Sequence, residues 1–219
     1  MKLRIFTVGL ISWISALTAY SPIVVSHFSK YYIGSYPLTY LPLAQINNSN
    51  LLQTPNSCGP YVAFFVAEMY KPDPQRDIKT FIKNFRFRII ESVTLPAGIE
   101  KSLNDLKIKN KRVYLSSMSN DKKLEYLKYK ISQNKSVIAI TRPIEDQPLS
   151  LHYVLIVGYD KEYFHLYDPN YGRKDGSQLT VDYNSKILGN RPMKFKEFFD
   201  RLNNGAVGGL EKDYLLVVN

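Results

Sequence analysis

Cys58 is the one cysteine in the 219-residue chain, and it stands in Asn56-Ser-Cys-Gly-Pro60, directly before a long apolar run. A helix starting at Ser57 or Cys58 would aim its unpaired N–H groups and the positive end of its dipole at the sulfur, which favours the thiolate. Gly59 leaves room for a substrate backbone to come close. His152 opens a second apolar run, Leu151-His-Tyr-Val-Leu-Ile-Val-Gly158. A histidine there must find a hydrogen-bond partner or stay exposed. Tyr159-Asp-Lys-Glu162 reads as a turn, and the next strand ends at Tyr167-Asp-Pro-Asn170. In a hairpin turning near Asp160, residues equidistant from the turn face each other. That sets Asp168 against His152 to within a residue or two. A carboxylate so placed fixes an imidazole's tautomer and supports its charged form. Gln53, five residues before Cys58, has a side-chain amide able to donate to an oxyanion alongside the Cys58 N–H, with Asn56 competing at closer range. His165, mid-strand without an evident acidic partner, is left out of the site.

The elements that must carry these residues follow from periodicity. A helix to about Tyr70 is apolar nearly all round, so it is expected at the centre of the domain; Pro60 sits in its tolerant first turn and Pro72 and Pro74 close it. Amphipathic helices are expected over about Asp77–Phe85, Pro96–Leu106, Asn120–Ser132 and Lys194–Leu202. Buried strands are expected at Val137–Ile140, Leu151–Val157, Tyr163–Tyr167 and Tyr214–Val218, with a long loop over Asp168–Asn190. Helices first and strands after predict an α+β class, a central helix packed on an antiparallel sheet.

The block Gln53…Ser57-Cys-Gly-Pro60, followed by Leu151–Asp160 and Tyr167-Asp-Pro169, resembles the double-glycine leader (bacteriocin-processing) peptidases and their stand-alone relatives. That resemblance spans about residues 38 to 219 and implies a papain-like fold. It also implies a Cys–His–Asp triad of Cys58, His152 and Asp168, with Gln53 completing the oxyanion hole. The activity implied is hydrolysis of a peptide or amide bond through a thioester. A thiol acyltransferase or transpeptidase on the same fold, and an inactive membrane-anchored binding domain, are the alternative readings.

Composition bounds the remainder. A single cysteine excludes an intrachain disulfide and a Cys/His zinc cluster, and no cofactor is expected. The formal net charge is +10, but the basic residues are scattered; the densest run, Lys107-Ile-Lys-Asn-Lys-Arg112, is short. A solvated basic surface, not a nucleic-acid site, is the reading. Lys2 and Arg4 precede a stretch without charge that reaches Ser29, apolar over residues 5–25. This is the plan of a secretory signal or an uncleaved anchor. Residues 1–29 are therefore expected to direct export, with possible membrane association through 5–25, and residues 30–219 to form the peptidase domain facing away from the cytoplasm.

Overall fold

The computed structural model describes residues 53, 56–86, 88–89, 93–142, 152–170, 173–174, 177–178, 191–204 and 211–219. The expected export segment, most of the lead-in before Cys58 and most of the Asp168–Asn190 loop lie outside them. Among the described residues, no helix is long and apolar enough to cross a membrane.

In chain order the elements are α1 (Cys58–Tyr70), α2 (Ile78–Lys83), β1 (Arg88–Ile89), β2 (Val93–Thr94), α3 (Pro96–Asp105), β3 (Asn110–Tyr114), α4 (Asn120–Ser132), β4 (Ser136–Thr141), β5 (His152–Tyr159), β6 (Tyr163–Tyr167), β7 (Arg173–Lys174), β8 (Ser177–Gln178), β9 (Arg191–Lys194), α5 (Phe195–Asn203) and β10 (Tyr214–Val218). Six strands form one antiparallel sheet in the order β3-β10-β4-β5-β6-β9. The class is α+β, as expected, with α1 against the sheet.

Both faces of the sheet are covered. On one side Val62, Phe65 and Val66 of α1 pack with Ile99 and Leu103 of α3 against Ile138, Ile140, Tyr153, Leu155 and Tyr167. On the other side Leu127 and Ile131 of α4 and Phe198, Phe199 and Leu202 of α5 cover Val137, Ala139, Val154, Ile156, Phe164 and Leu166. This explains why β4, β5 and β10 show no apolar–polar alternation: every residue of each is buried, so no solvent face exists to impose it. Phe65 stacks on Tyr167 with ring centroids 4.2 Å apart, fastening α1 to β6 as well as to β5.

Where element boundaries differ from expectation, local chemistry accounts for it. The α2 helix begins at Ile78 because Asp77 caps it, its carboxylate accepting the Thr80 N–H. Strand β3 lies inside the basic run and was not expected. As an edge strand it turns only Val113 fully inward, while lysine and arginine on its other positions discourage pairing with another chain. Strand β9, equally unforeseen, is a short edge strand containing Pro192.

One buried ion pair joins three elements on the second face. Lys123 of α4 donates to Asp213, in the turn before β10, and to Asn203 at the end of α5. Asp213 in turn accepts the Leu115 N–H on its carbonyl and donates its own N–H to Leu202. Truncating Lys123 would strand a buried carboxylate. Lys123→Ala is expected to lower the unfolding free energy by about 3–5 kcal/mol, read by urea denaturation; a loss under about 1 kcal/mol would show the pair to be solvated and weak.

Candidate active site

Cys58 is the first residue of α1, so the N–H groups of the opening turn lie around its sulfur. The helix can begin there because the backbone changes direction sharply just upstream. Asn56 sits in the left-handed region with φ 59°, and Tyr61 donates the first helical bond to the Ser57 carbonyl. Gly59 follows because there is no room for more. A Cβ built on it would meet the Thr94 Cβ and Cγ2 atoms at 2.8 Å, so α1 and β2 touch at the residue beside Cys58.

His152 is the first residue of β5, opposite Thr141 of β4. The hairpin to β6 turns at Lys161–Glu162, where the Asp160 carboxylate accepts the N–H groups of Glu162 and Tyr163. Pairing is irregular between Ile156 and Gly158, and then runs Ile156↔Leu166 and Leu155↔Tyr167. Continued one step, that register sets Asp168 against Val154, two residues along β5 from His152. The pair is diagonal, not directly opposed. It closes nonetheless: His152 Nε2 lies 2.7 Å from Asp168 Oδ1. With Nε2 committed to the carboxylate, Nδ1 is the nitrogen left for Cys58, which hydrogen-bonds the imidazole and also takes the Tyr153 N–H.

All three groups are buried, Asp168 with 1% of its surface exposed. Burial by itself opposes each charge, and in each case the neighbours outweigh it. Burial pushes the Cys58 thiol up, but the hydrogen bond and charge of His152 and the N–H groups of Tyr153 and Gly59 bring it below the usual thiol value. Burial disfavours the His152 imidazolium, yet the charge and hydrogen bond of Asp168, together with Cys58, raise it to about 10. Desolvation would raise Asp168, but His152 and the Arg191 guanidinium hold it well below the carboxylate range. Both shifts favour the charged forms, a thiolate on Cys58 and an imidazolium on His152.

Gln53 is buried, and its backbone N–H donates to the Pro169 carbonyl at 2.9 Å, which ties the segment before α1 to the turn after Asp168. Its side-chain Oε1 finds no hydrogen-bond partner, whereas the rival Asn56 is exposed. His165 does have an acidic partner, contrary to expectation: its Nε2 is 2.9 Å from Asp160 Oδ2, at the turn end of the hairpin. It lies away from Cys58. Among the described residues no group of His, Cys, Asp and Glu is placed to hold a metal ion.

Three contributors escaped the sequence reading. Tyr153 ties the site to β2, its hydroxyl donating to the Thr94 carbonyl at 2.8 Å while its N–H faces the sulfur. Thr94 packs on Gly59. Arg191 Nη1 donates to Asp168 Oδ2 at 2.8 Å. A tyrosine beside His152 in a fully apolar strand was a usable signal, because a buried hydroxyl needs a partner. Nothing in the sequence near Arg191 pointed to Asp168.

A lone thiol at the start of a central helix, packed on an antiparallel sheet that presents a histidine bonded to an aspartate, is the arrangement that the resemblance to papain-like cysteine peptidases implied. The family model described as the Peptidase_C39 like family matches residues 38–204, and the chain belongs to that family of cysteine peptidase-like enzymes. No curated protein matches the chain. Among solved structures, a chain described as a C39-like peptidase from Bacillus anthracis is 13% identical, with a TM-score of 0.48, 83% of this chain and 97% of that one being covered. The peptidase domain of Streptococcus ComA, a bifunctional ABC transporter of a quorum-sensing pathway, is 16% identical with a TM-score of 0.44, over 84% of this chain and 97% of that one. Both likenesses are distant.

The charge state gives a direct expectation. Iodoacetamide should alkylate Cys58 at lower pH than it does a free thiol, which titrates near ~8.5. The imidazolium should be lost only as the pH climbs to about 10. In His152→Ala the burial of the thiol meets less opposition, so the rise in reactivity should move to alkaline pH. A wild-type profile matching that of a free thiol would contradict the ion pair.

Proposed function

We propose that this enzyme hydrolyses a peptide or amide bond with Cys58 as nucleophile, His152 as acid and base, Asp168 as its orienting partner and Gln53 as an oxyanion donor. The observation that carries the reading is the continuous run of contacts from the Cys58 sulfur through the imidazole to the buried Asp168 carboxylate. The substrate class, a peptide or protein, follows from the family.

In this mechanism the Cys58 thiolate attacks the scissile carbonyl carbon, and the electron pair moves onto oxygen. The Cys58 N–H and the Gln53 amide donate to that oxyanion. Collapse of the intermediate breaks the C–N bond as Nδ1–H of His152 passes its proton to the leaving amine. The product is a thioester on Cys58. Water then attacks while His152 takes its proton, the C–S bond breaks, and the acid leaves with the thiolate restored. Asp168 keeps Nε2 protonated and the ring in plane throughout.

Cys58→Ala should reduce turnover of a peptide library, followed by mass spectrometry, to background with an unchanged circular dichroism spectrum. Gln53→Ala should lower kcat by about 10²–10³ with a smaller effect on KM, the signature of a donor used mainly in the transition state. Turnover surviving in folded Cys58→Ala would exclude the mechanism.

The site of action is proposed to be outside the cytoplasm. Lys2 and Arg4 ahead of the apolar residues 5–25 support this, through the bias of positive charge toward the cytoplasmic side. An alkaline phosphatase fused after residue 219 should be active, since that reporter folds only in an oxidising compartment; an inactive but intact fusion would place the domain inside.

A further inference from the structure

The Asp168 carboxylate is held at both oxygens. Oδ1 faces His152 Nε2 at 2.7 Å and accepts the Asn170 N–H at 2.9 Å. Oδ2 accepts Arg191 Nη1 at 2.8 Å. Arg191 is the first residue of β9, paired with Leu166 of β6, so it approaches from the strand beyond the one that ends at Asp168. Its other nitrogen, Nη2, lies 3.4 Å from Glu197 Oε1 of α5, which also pairs with Arg201 Nη2 at 2.9 Å. From the sulfur outward the charges alternate: Cys58, His152, Asp168, Arg191, Glu197, Arg201. The inner three are buried, Arg191 is largely covered and Glu197 is exposed. Coulombic coupling is therefore strongest at the inner end, where water screens least.

We propose that Arg191 is a positioning residue for this active site, fixing the plane of the Asp168 carboxylate, and through it the His152 ring, by holding Oδ2 while His152 and Asn170 hold Oδ1. The proposal rests on the reading of Cys58, His152 and Asp168 as the reacting chain. Arg191 is not placed to touch substrate; it acts through Asp168. Without it a carboxylate oxygen with almost no access to water loses its charged partner, and the carboxyl becomes both easier to protonate and free to turn. Either change withdraws support from the imidazolium and hence from the thiolate.

The sign is the same from each direction. Among the described residues, the charged groups around Asp168 include His152 on β5, Arg191 on β9 and, behind it, Glu197 and Arg201 on α5; Cys58 of α1 lies across the imidazole. Removing the Arg191 cation frees Oδ2 and lets the Asp168 carboxylate turn from the imidazole, and it also removes a positive charge that favours the thiolate. Both effects move the acid limb of Cys58 reactivity toward neutral pH.

The test is the pH profile of iodoacetamide alkylation of Cys58 in the full chain, beside a thermal melt. In Arg191→Met and Arg191→Gln the acid limb should move toward neutral pH by up to about one pH unit, the lower end of what a directly adjacent opposite charge does. Arg191→Lys should keep it near the wild-type position, and Glu197→Gln should leave it in place. Neutral variants that fold and show the wild-type limb overturn the proposal, whatever their melting temperature. Neutral variants that both fail to fold assign Arg191 to the scaffold and overturn it too. A wild-type profile like that of a free thiol would instead fail the triad reading itself, and Arg191 would fall with it.

Discussion

The contact between the buried Asp168 carboxylate and the His152 ring is the interaction on which the rest of the site depends, because it opposes the burial that disfavours an imidazolium, and His152 in turn lowers the Cys58 thiol. Burial alone would leave Cys58 a thiol and His152 a neutral ring. The carboxylate of Asp168 tips the balance, since it favours the imidazolium by charge and hydrogen bond and the imidazolium then favours the thiolate. Such coupling needs contact distances and little water between the partners. The site therefore demands three side chains from three elements held at hydrogen-bond range in a dry place.

The two-faced sheet supplies that rigidity. Helix α1 is fixed by its buried face against β5 and by Phe65 stacked on Tyr167 of β6, the strand that ends at Asp168. The contact that positions the helix of Cys58 is thus one residue from the carboxylate. On the opposite face α4 and α5 cover the same strands, so β5 and β6 have no free surface on which to shift. Close packing of this kind transmits small displacements instead of absorbing them. The contact of Gly59 with Thr94, and the Tyr153 hydroxyl on the Thr94 carbonyl, bring β2 to the same point. Gln53 is tethered there by its backbone bond to Pro169.

The periphery shows how a basic chain manages its edges. Strand β3 carries Lys111 and Arg112, the end of the densest basic run, along one margin of the sheet, and β9 bears a proline on the other. Both are edge devices that block pairing with a further strand. Arg191 at the start of β9 also faces Asp168, so one edge strand both ends the sheet and reaches the site.

The sequence by itself determined what depends on local pattern. The buried character and span of α1, the strands β4, β5, β6 and β10, and the position of Cys58 at a helix start all follow from periodicity, prolines and a glycine. The nearness of His152 and Asp168 followed from the turn at Asp160–Glu162, because a hairpin converts sequence distance into spatial distance. The offset to a diagonal pair did not: the turn is centred between Lys161 and Glu162, beyond Asp160, and the irregularity near Val157 takes back only one residue of that shift. Strand β3 was hidden because an edge strand with polar outward positions lacks the apolar alternation by which strands are read. Contacts between elements far apart in the chain were decided only by tertiary structure: Arg191 on Asp168, Thr94 against Gly59, Lys123 with Asp213, and a second layer of helices. Each depends on which strand lies beside which, and strand order is set by the summed burial of two apolar faces, a quantity no single stretch of sequence contains.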